Sequence, residues 1–131
     1  MWRCFVKKTV INPSCAPSPI GPYSVVNGFE NLLFVSGQLP VDIKTGQLIS
    51  GDIKKATETI LSNIKNILEE SGSSLENVLK VTVFLKDIAK FSEMNDIYGQ
   101  FFKTNPPARS AFQVGALPKN ADIEIEVIAH K

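Results

Sequence analysis

The sequence has little of several features that mark whole classes of protein. It contains one histidine, and its 14 Lys and Arg residues stand against 13 Asp and Glu, a net charge of +1. This near balance provides no strong long-range attraction to phosphate backbones or anionic lipid, so we expect no nucleic acid or membrane partner. The single histidine, His130, lies next to the C-terminus and offers no metal-ligand spacing. We therefore expect no metal site and no metal cofactor.

Long apolar runs and cysteine are also scarce. No segment approaches the roughly 18 apolar residues that a transmembrane helix needs. Asn12 and Pro13 interrupt the apolar residues of the opening before the core of a secretion signal could form. Two cysteines, Cys4 and Cys15, are too few for the disulfide framework of a small secreted chain. We expect a cytoplasmic protein without a structural disulfide.

What is present fits one globular domain of 131 residues, 44% of them hydrophobic. Short β-type runs at 23–26 and 32–38 flank Asn27-Gly28, a dipeptide that predicts a hairpin turn. Apolar residues recur at helical spacing over 52–71, with Asp52 as N-cap and Gly72 as the C-terminal stop. These patterns predict a hairpin followed by a helix.

The second half predicts two more strand regions and another helix. Residues 78–85 alternate as a strand does, and Asp87 can cap a helix that the Pro106-Pro107 pair ends. This helix has an apolar stripe, which we interpret as core: Phe91, Met94, Tyr98 and Phe101. Strands at 109–117 and 123–130, joined across 118–120, predict a second hairpin. The order predicts an α+β domain, a mixed sheet with two helices packed on one face.

One segment resembles the signature of the RidA (YjgF) family. It comprises Pro107-Ala108-Arg109-Ser110-Ala111-Phe112, Leu117-Pro118 and Ile123-Glu124-Ile125-Glu126. The resemblance extends through Ile20-Gly21-Pro22-Tyr23 and Val35-Ser36-Gly37-Gln38 over nearly the whole chain, and leaves residues 1–6 outside as an N-terminal extension. It implies a chorismate mutase-like fold, a homotrimeric barrel with sites between subunits, and a cofactor-free deaminase. Such an enzyme hydrolyses 2-iminobutanoate, 2-iminopropanoate and 2-aminoacrylate to 2-oxo acids and ammonia.

The resemblance also implies catalytic roles for three residues. Arg109 would grip the substrate carboxylate, a task suited to the planar guanidinium fork. Glu124 would act as general acid/base on the attacking water, and Tyr23 would hydrogen-bond substrate or water. Composition alone does not choose between Glu124 and Glu126, which share a strand face. A surface ion pair for Arg109 and core packing for Tyr23 are the structural alternatives.

Four more residues match substrate-binding positions of the family. Ser36 and Gly37 would line the pocket, and Asn95 would add a polar group from the second helix. Ala111 stands where many relatives carry cysteine, and its main-chain amide would supply the family contact without thiol chemistry. Purely structural roles at a strand end or on a helix surface remain open for these positions.

Strand parity adds an expectation about how the site is assembled. Arg109 and Ala111 alternate with Phe112, so we expect Phe112 to face the helices and Arg109 to share the outer sheet face with Glu124. In a tight hairpin the arginine and the glutamate would lie about 20 Å apart, too far for one small substrate. We therefore expect one chain to supply Arg109 and its neighbour to supply Glu124.

Two other functions fit parts of the sequence. A non-catalytic trimer that binds small carboxylates would also use Arg109. An endoribonuclease, an activity ascribed to some members of the family, would need an acid/base pair and a basic stripe with interleaved aromatics. The lone His130 and the balanced charge provide neither.

Overall fold

The computed structural model describes residues 7–131, so Cys4 and the expected N-terminal extension lie outside the described residues. Within this range, six strands form one sheet and two α-helices cover it. The strands are β1 (Thr9–Ile11), β2 (Val26–Phe29), β3 (Leu32–Gln38), β4 (Val78–Leu85), β5 (Ala108–Gln113) and β6 (Ile123–His130). The helices are α1 (Ile53–Glu70) and α2 (Phe91–Phe101). No helix in this part of the chain is long and apolar enough to cross a membrane.

The sheet is mixed, with the strand order β1-β2-β3-β6-β4-β5. Among the strands of residues 7–131, only β4 and β5 run parallel as neighbours, and α2 forms the crossover between them. Both helices lie on one face, where their apolar sides and alternate strand residues form a single core. The predicted α+β fold, a mixed sheet with two helices on one face, is confirmed.

Local capping and burial account for the two helices. The carboxylate of Asp52 accepts a hydrogen bond from the Lys55 amide at 3.0 Å and caps α1 as predicted. Gly72, with a positive φ of 84°, follows the C-terminal end. Asp87 instead caps a short 3₁₀ turn (Ile88–Lys90) that leads into α2, and accepts from the Ala89 amide at 2.9 Å.

The first hairpin turns three residues later than predicted. Its turn is formed by Glu30 and Asn31 rather than Asn27-Gly28, with Glu30 at a φ of 53°. In this register the fully buried Val26 lies opposite the buried Val35, so both contribute to the core face. A turn at Asn27-Gly28 would shift that pairing, and burial of the apolar face therefore outweighs the local turn preference.

The predicted second hairpin is wrong. β5 ends at Gln113 and pairs with β4, while β6 lies between β3 and β4. The physical reason is burial, because alternate residues of β6 are almost fully buried and no residue of β5 is. The more apolar strand takes a central place, and β5 becomes an edge strand.

Candidate active site

Arg109 faces the helices, contrary to the parity prediction. On the parallel β4–β5 ladder it is level with Val81, a core residue. Phe112 is level with Phe84 on the opposite face, and the two rings meet edge to face with centroids 5.4 Å apart. Phe112 thus finds its aromatic partner on the outer face, while helix α2 covers Arg109. Because β5 is an edge strand, this arginine lies at the rim of the protomer.

Three side chains of α2 surround the guanidinium of Arg109. Asn95 Oδ1 accepts a hydrogen bond from Nη1 at 2.8 Å. The guanidinium carbon lies 4.5 Å from the ring centroid of Tyr98 and 5.4 Å from that of Phe91, within the range of cation–π attraction. These residues are spaced four and three apart, so one helix face presents all of them. Ala111 follows on the same side of β5, packed against the core.

A second group of candidate residues lines a cavity of about 540 Å³. This cavity group consists of Tyr23, Ser36, Gly37 and Glu124. The ladder between β3 and β6 shifts register between Val35 and Gln38, a bulge of the kind found beside active sites. The Ser36 hydroxyl donates to the Ser24 carbonyl at 2.7 Å and ties this bulge to the preceding segment.

Glu124 lies directly against the backbone of Gly37. A Cβ atom on Gly37 would stand 2.9 Å from Cδ of Glu124, closer than non-bonded carbon atoms approach. Glycine is therefore required for the carboxyl group to occupy this place. Burial raises the pKa of Glu124 above its usual range, and the neighbouring charge of Glu126 raises it further.

The structure distinguishes the two glutamates that composition could not. Glu124 is half-buried in the wall of the cavity, whereas Glu126 is exposed and borders a separate, smaller depression with Phe34 and Lys80. A half-buried carboxyl of raised pKa is suited to accept and return protons nearer neutral pH. Glu124 is the stronger candidate for acid/base chemistry.

The arginine group and the cavity group do not meet within one protomer. Strand β4 lies between the two residues. Glu124, on β6, is paired with Phe84 of β4, and Arg109, on β5, is paired with Val81 of β4. Their Cα atoms are thus about 14 Å apart, from three residues along the strand and two strand spacings across it. The two side chains also point to opposite faces of the sheet. Arg109 and Glu124 are therefore separated as expected, but by the intervening strand β4 and not by the length of a hairpin.

Sequence reasoning missed two parts of this arrangement. Its assignment of Phe91 and Tyr98 to the core is confirmed, because Tyr98 is part of the core and Phe91 packs against it, but it missed that both rings also contact Arg109 beside Asn95. It also gave no role to Pro17, and none to Ile20 beyond the resemblance, whereas both residues form part of the cavity wall. Among residues 7–131, no group of three or more His, Cys, Asp or Glu is arranged to hold a metal ion.

Comparison with known proteins shows the family. The profile of the Endoribonuclease L-PSP family matches residues 14–131. A RutC family protein of Pyrococcus horikoshii is 52% identical, and the alignment covers 95% of this chain and 98% of that protein. Human 2-iminobutanoate/2-iminopropanoate deaminase is 44% identical over 93% of this chain and 89% of its own length. A Rid family structure from Yersinia pestis superposes with a TM-score of 0.92, at 45% identity over 95% of this chain and all of that one. The chain therefore belongs to the Endoribonuclease L-PSP family, which includes the Rid proteins.

Proposed function

We propose that the protein hydrolyses 2-imino acids, such as 2-iminobutanoate and 2-iminopropanoate, to 2-oxo acids and ammonia. The observation that carries the proposal is a pair of complementary groups. One is the guanidinium of Arg109, held by the side chains of α2, and the other is the half-buried carboxyl of Glu124, whose pKa is raised. The named activity of the human relative at 44% identity supports the same reaction. Neither group requires a cofactor for this chemistry.

The proposed mechanism uses one group for binding and one for proton transfer. Arg109 holds the substrate carboxylate through parallel charge-assisted hydrogen bonds. Glu124 takes a proton from water as the water oxygen bonds to the imine carbon, and it passes that proton to the imine nitrogen to give the carbinolamine. Glu124 then takes the hydroxyl proton and delivers it to the amine nitrogen, so that the C–N bond breaks and ammonia leaves as the C=O bond forms. Tyr23 and Ser36, in the same cavity wall, would orient the water and substrate.

The site is proposed to form between protomers of a homotrimer. Arg109 lies at the edge of the sheet, so a neighbour docking at this edge could bring its own Glu124 cavity to the arginine. The outer sheet face supports association, because it exposes large apolar side chains, each 37–51% accessible: Val10, Phe29, Leu32, Phe34 and Phe112. Large apolar side chains exposed on one sheet face are typical of a protein interface, and closed cyclic symmetry would cover them in every copy.

The reaction is tested with imine generated in solution. Threonine dehydratase and threonine produce 2-iminobutanoate, and trapping by semicarbazide reports how much imine survives. The protein is expected to lower the trapped fraction and speed the formation of 2-oxobutanoate, and the Arg109→Ala variant is expected to do neither. An unchanged trapped fraction with the wild-type protein contradicts the proposal.

Carboxylate binding without turnover is the second candidate function. The observation in its favour is that the Arg109 fork is braced by α2 alone and is independent of Glu124. Calorimetric binding of 2-oxobutanoate by a protein that hydrolyses no imine would select this function. In that case Glu124→Gln should leave the affinity for 2-oxobutanoate unchanged.

A further inference from the structure

Tyr98 has a position that core packing alone does not account for. Its ring is 95% buried, since only 5% of the residue is accessible, and one face lies under the guanidinium of Arg109 at 4.5 Å. Phe102, one helical turn later, supports the ring with a centroid separation of 4.8 Å. The tyrosine ring is therefore held in place and in turn supports the arginine.

The hydrogen bond from Asn95 does not by itself orient the fork. A single bond from Nη1 leaves the planar guanidinium free to rotate about the donor–acceptor axis. An aromatic face against the guanidinium removes that rotation, because the planar cation prefers to lie over the ring. Tyr98 is nearer to the cation than Phe91, at 4.5 Å against 5.4 Å.

The aromatic ring of Tyr98, and not its hydroxyl group, contacts and supports Arg109. The hydroxyl oxygen is buried and forms no hydrogen bond within residues 7–131. Removal of such a group costs the folded state little, because no bond is lost and a desolvated polar atom disappears. Phenylalanine at this position should therefore support Arg109 as tyrosine does.

We propose that Tyr98 is a positioning residue, whose ring holds the Arg109 guanidinium in the plane required to bind a substrate carboxylate. The inference rests on the proposed function in one respect, that Arg109 binds a carboxylate. It adds a determinant of substrate affinity outside the residues that would touch substrate.

The test measures binding of an unreactive carboxylate, 2-oxobutanoate, by calorimetry on the assembled protein. We expect Tyr98→Phe to bind within about twofold of the wild type and Tyr98→Leu to bind about tenfold more weakly. Tyr98→Met provides a second non-aromatic variant, whose flexible side chain fills the same space if the leucine variant does not assemble. Met94→Ala is the matched control, since it removes a fully buried side chain of the same helix that provides neither the hydrogen bond nor a ring contact to the Arg109 guanidinium.

A spectroscopic readout separates positioning from general loosening of the core. The ¹⁵N Nε–H resonance of Arg109 can be assigned by its absence in Arg109→Ala. Its exchange with solvent should accelerate in Tyr98→Leu or Tyr98→Met and stay unchanged in Tyr98→Phe and Met94→Ala. Only an effect on the fork itself produces this pattern.

Each other outcome overturns the inference. These are wild-type affinity in both non-aromatic variants, equal weakening in Tyr98→Phe, equal weakening in Met94→Ala, and no binding of 2-oxobutanoate by the wild type. If the wild type binds 2-oxobutanoate in the expected Tyr98-dependent way but hydrolyses no imine, the inference about Tyr98 stands and the proposed function fails.

Discussion

Substitution of Gly37 by alanine should displace the carboxyl group of Glu124, and the structure gives the size of this displacement. Its Cβ would stand 2.9 Å from Cδ of Glu124 and nearer still to Oε1, whereas carbon atoms in contact lie about 3.5–4.0 Å apart, so the carboxyl must move by about 1 Å. A misplacement of about 1 Å can cost on the order of 100-fold in rate. We expect kcat for imine hydrolysis to fall about 10- to 100-fold in Gly37→Ala. The φ of Gly37 is not positive, so alanine adds no backbone strain, and the free energy of unfolding should change by less than about 1 kcal/mol.

The assay compares initial rates with 2-iminobutanoate, alongside thermal unfolding of each variant. Gly99→Ala is the matched control, because a Cβ there meets nothing within 4 Å. It should keep wild-type activity and gain about 0.5–1 kcal/mol of stability from the helical alanine. Wild-type kcat in a correctly folded Gly37→Ala protein would refute the reasoning, since the required displacement of Glu124 would then have no effect on chemistry.

The remaining predictions concern charge and metal. Glu124→Gln should lose most of kcat while Glu126→Gln keeps it, because only the half-buried glutamate lines the cavity; equal losses in initial-rate assays would contradict this. Since burial raises the pKa of Glu124, the native state binds the proton more readily than the unfolded state, and this group makes stability fall as pH rises from the ordinary glutamate range through the raised pKa. Glu124→Gln should flatten that part of a plot of melting temperature against pH, and an unaltered slope would argue against the shift. Arg109→Ala should abolish deamination at normal thermal stability, and Arg109→Lys should restore little, because lysine lacks the planar fork; near wild-type kcat/KM in either variant would remove the arginine from the site. Activity should survive exhaustive EDTA treatment, because His130 is the only histidine, and a chelator-sensitive rate would contradict the cofactor-free reaction.

Local signals predicted the helices well and the sheet order poorly. The Asp52 cap and the apolar stripe of α1 depend on neighbours within one or two turns, so they are readable in sequence. The place of β6 depends on competition between β5 and β6 for a central position, which is decided by burial against distant elements. The first turn was misplaced for the same reason, because the pairing of Val26 with Val35 outweighs the Asn27-Gly28 signal.

The candidate residues came from the resemblance, and their arrangement came from the structure. The prediction from strand alternation assumed that an aromatic residue such as Phe112 must face the core. On the edge strand β5, Phe112 instead packs against Phe84 on the outer face of the sheet. This reversal moved Arg109 to the helix side, where Tyr98 and Asn95 meet it. Such a contact joins residues from two elements, and no pattern within either element specifies it.

The shared site is tested most directly by mixing two inactive variants. Chains carrying Arg109→Ala and chains carrying Glu124→Gln are dissociated together in equal amounts and reassembled, and mass spectrometry confirms the exchange. If each site takes its arginine from one chain and its glutamate from the next, about a quarter of the interfaces in a random trimer carry both intact residues. The account predicts recovery of about a quarter of wild-type deaminase activity. Hybrids that stay inactive despite confirmed exchange, or a fully active monomer, would contradict it.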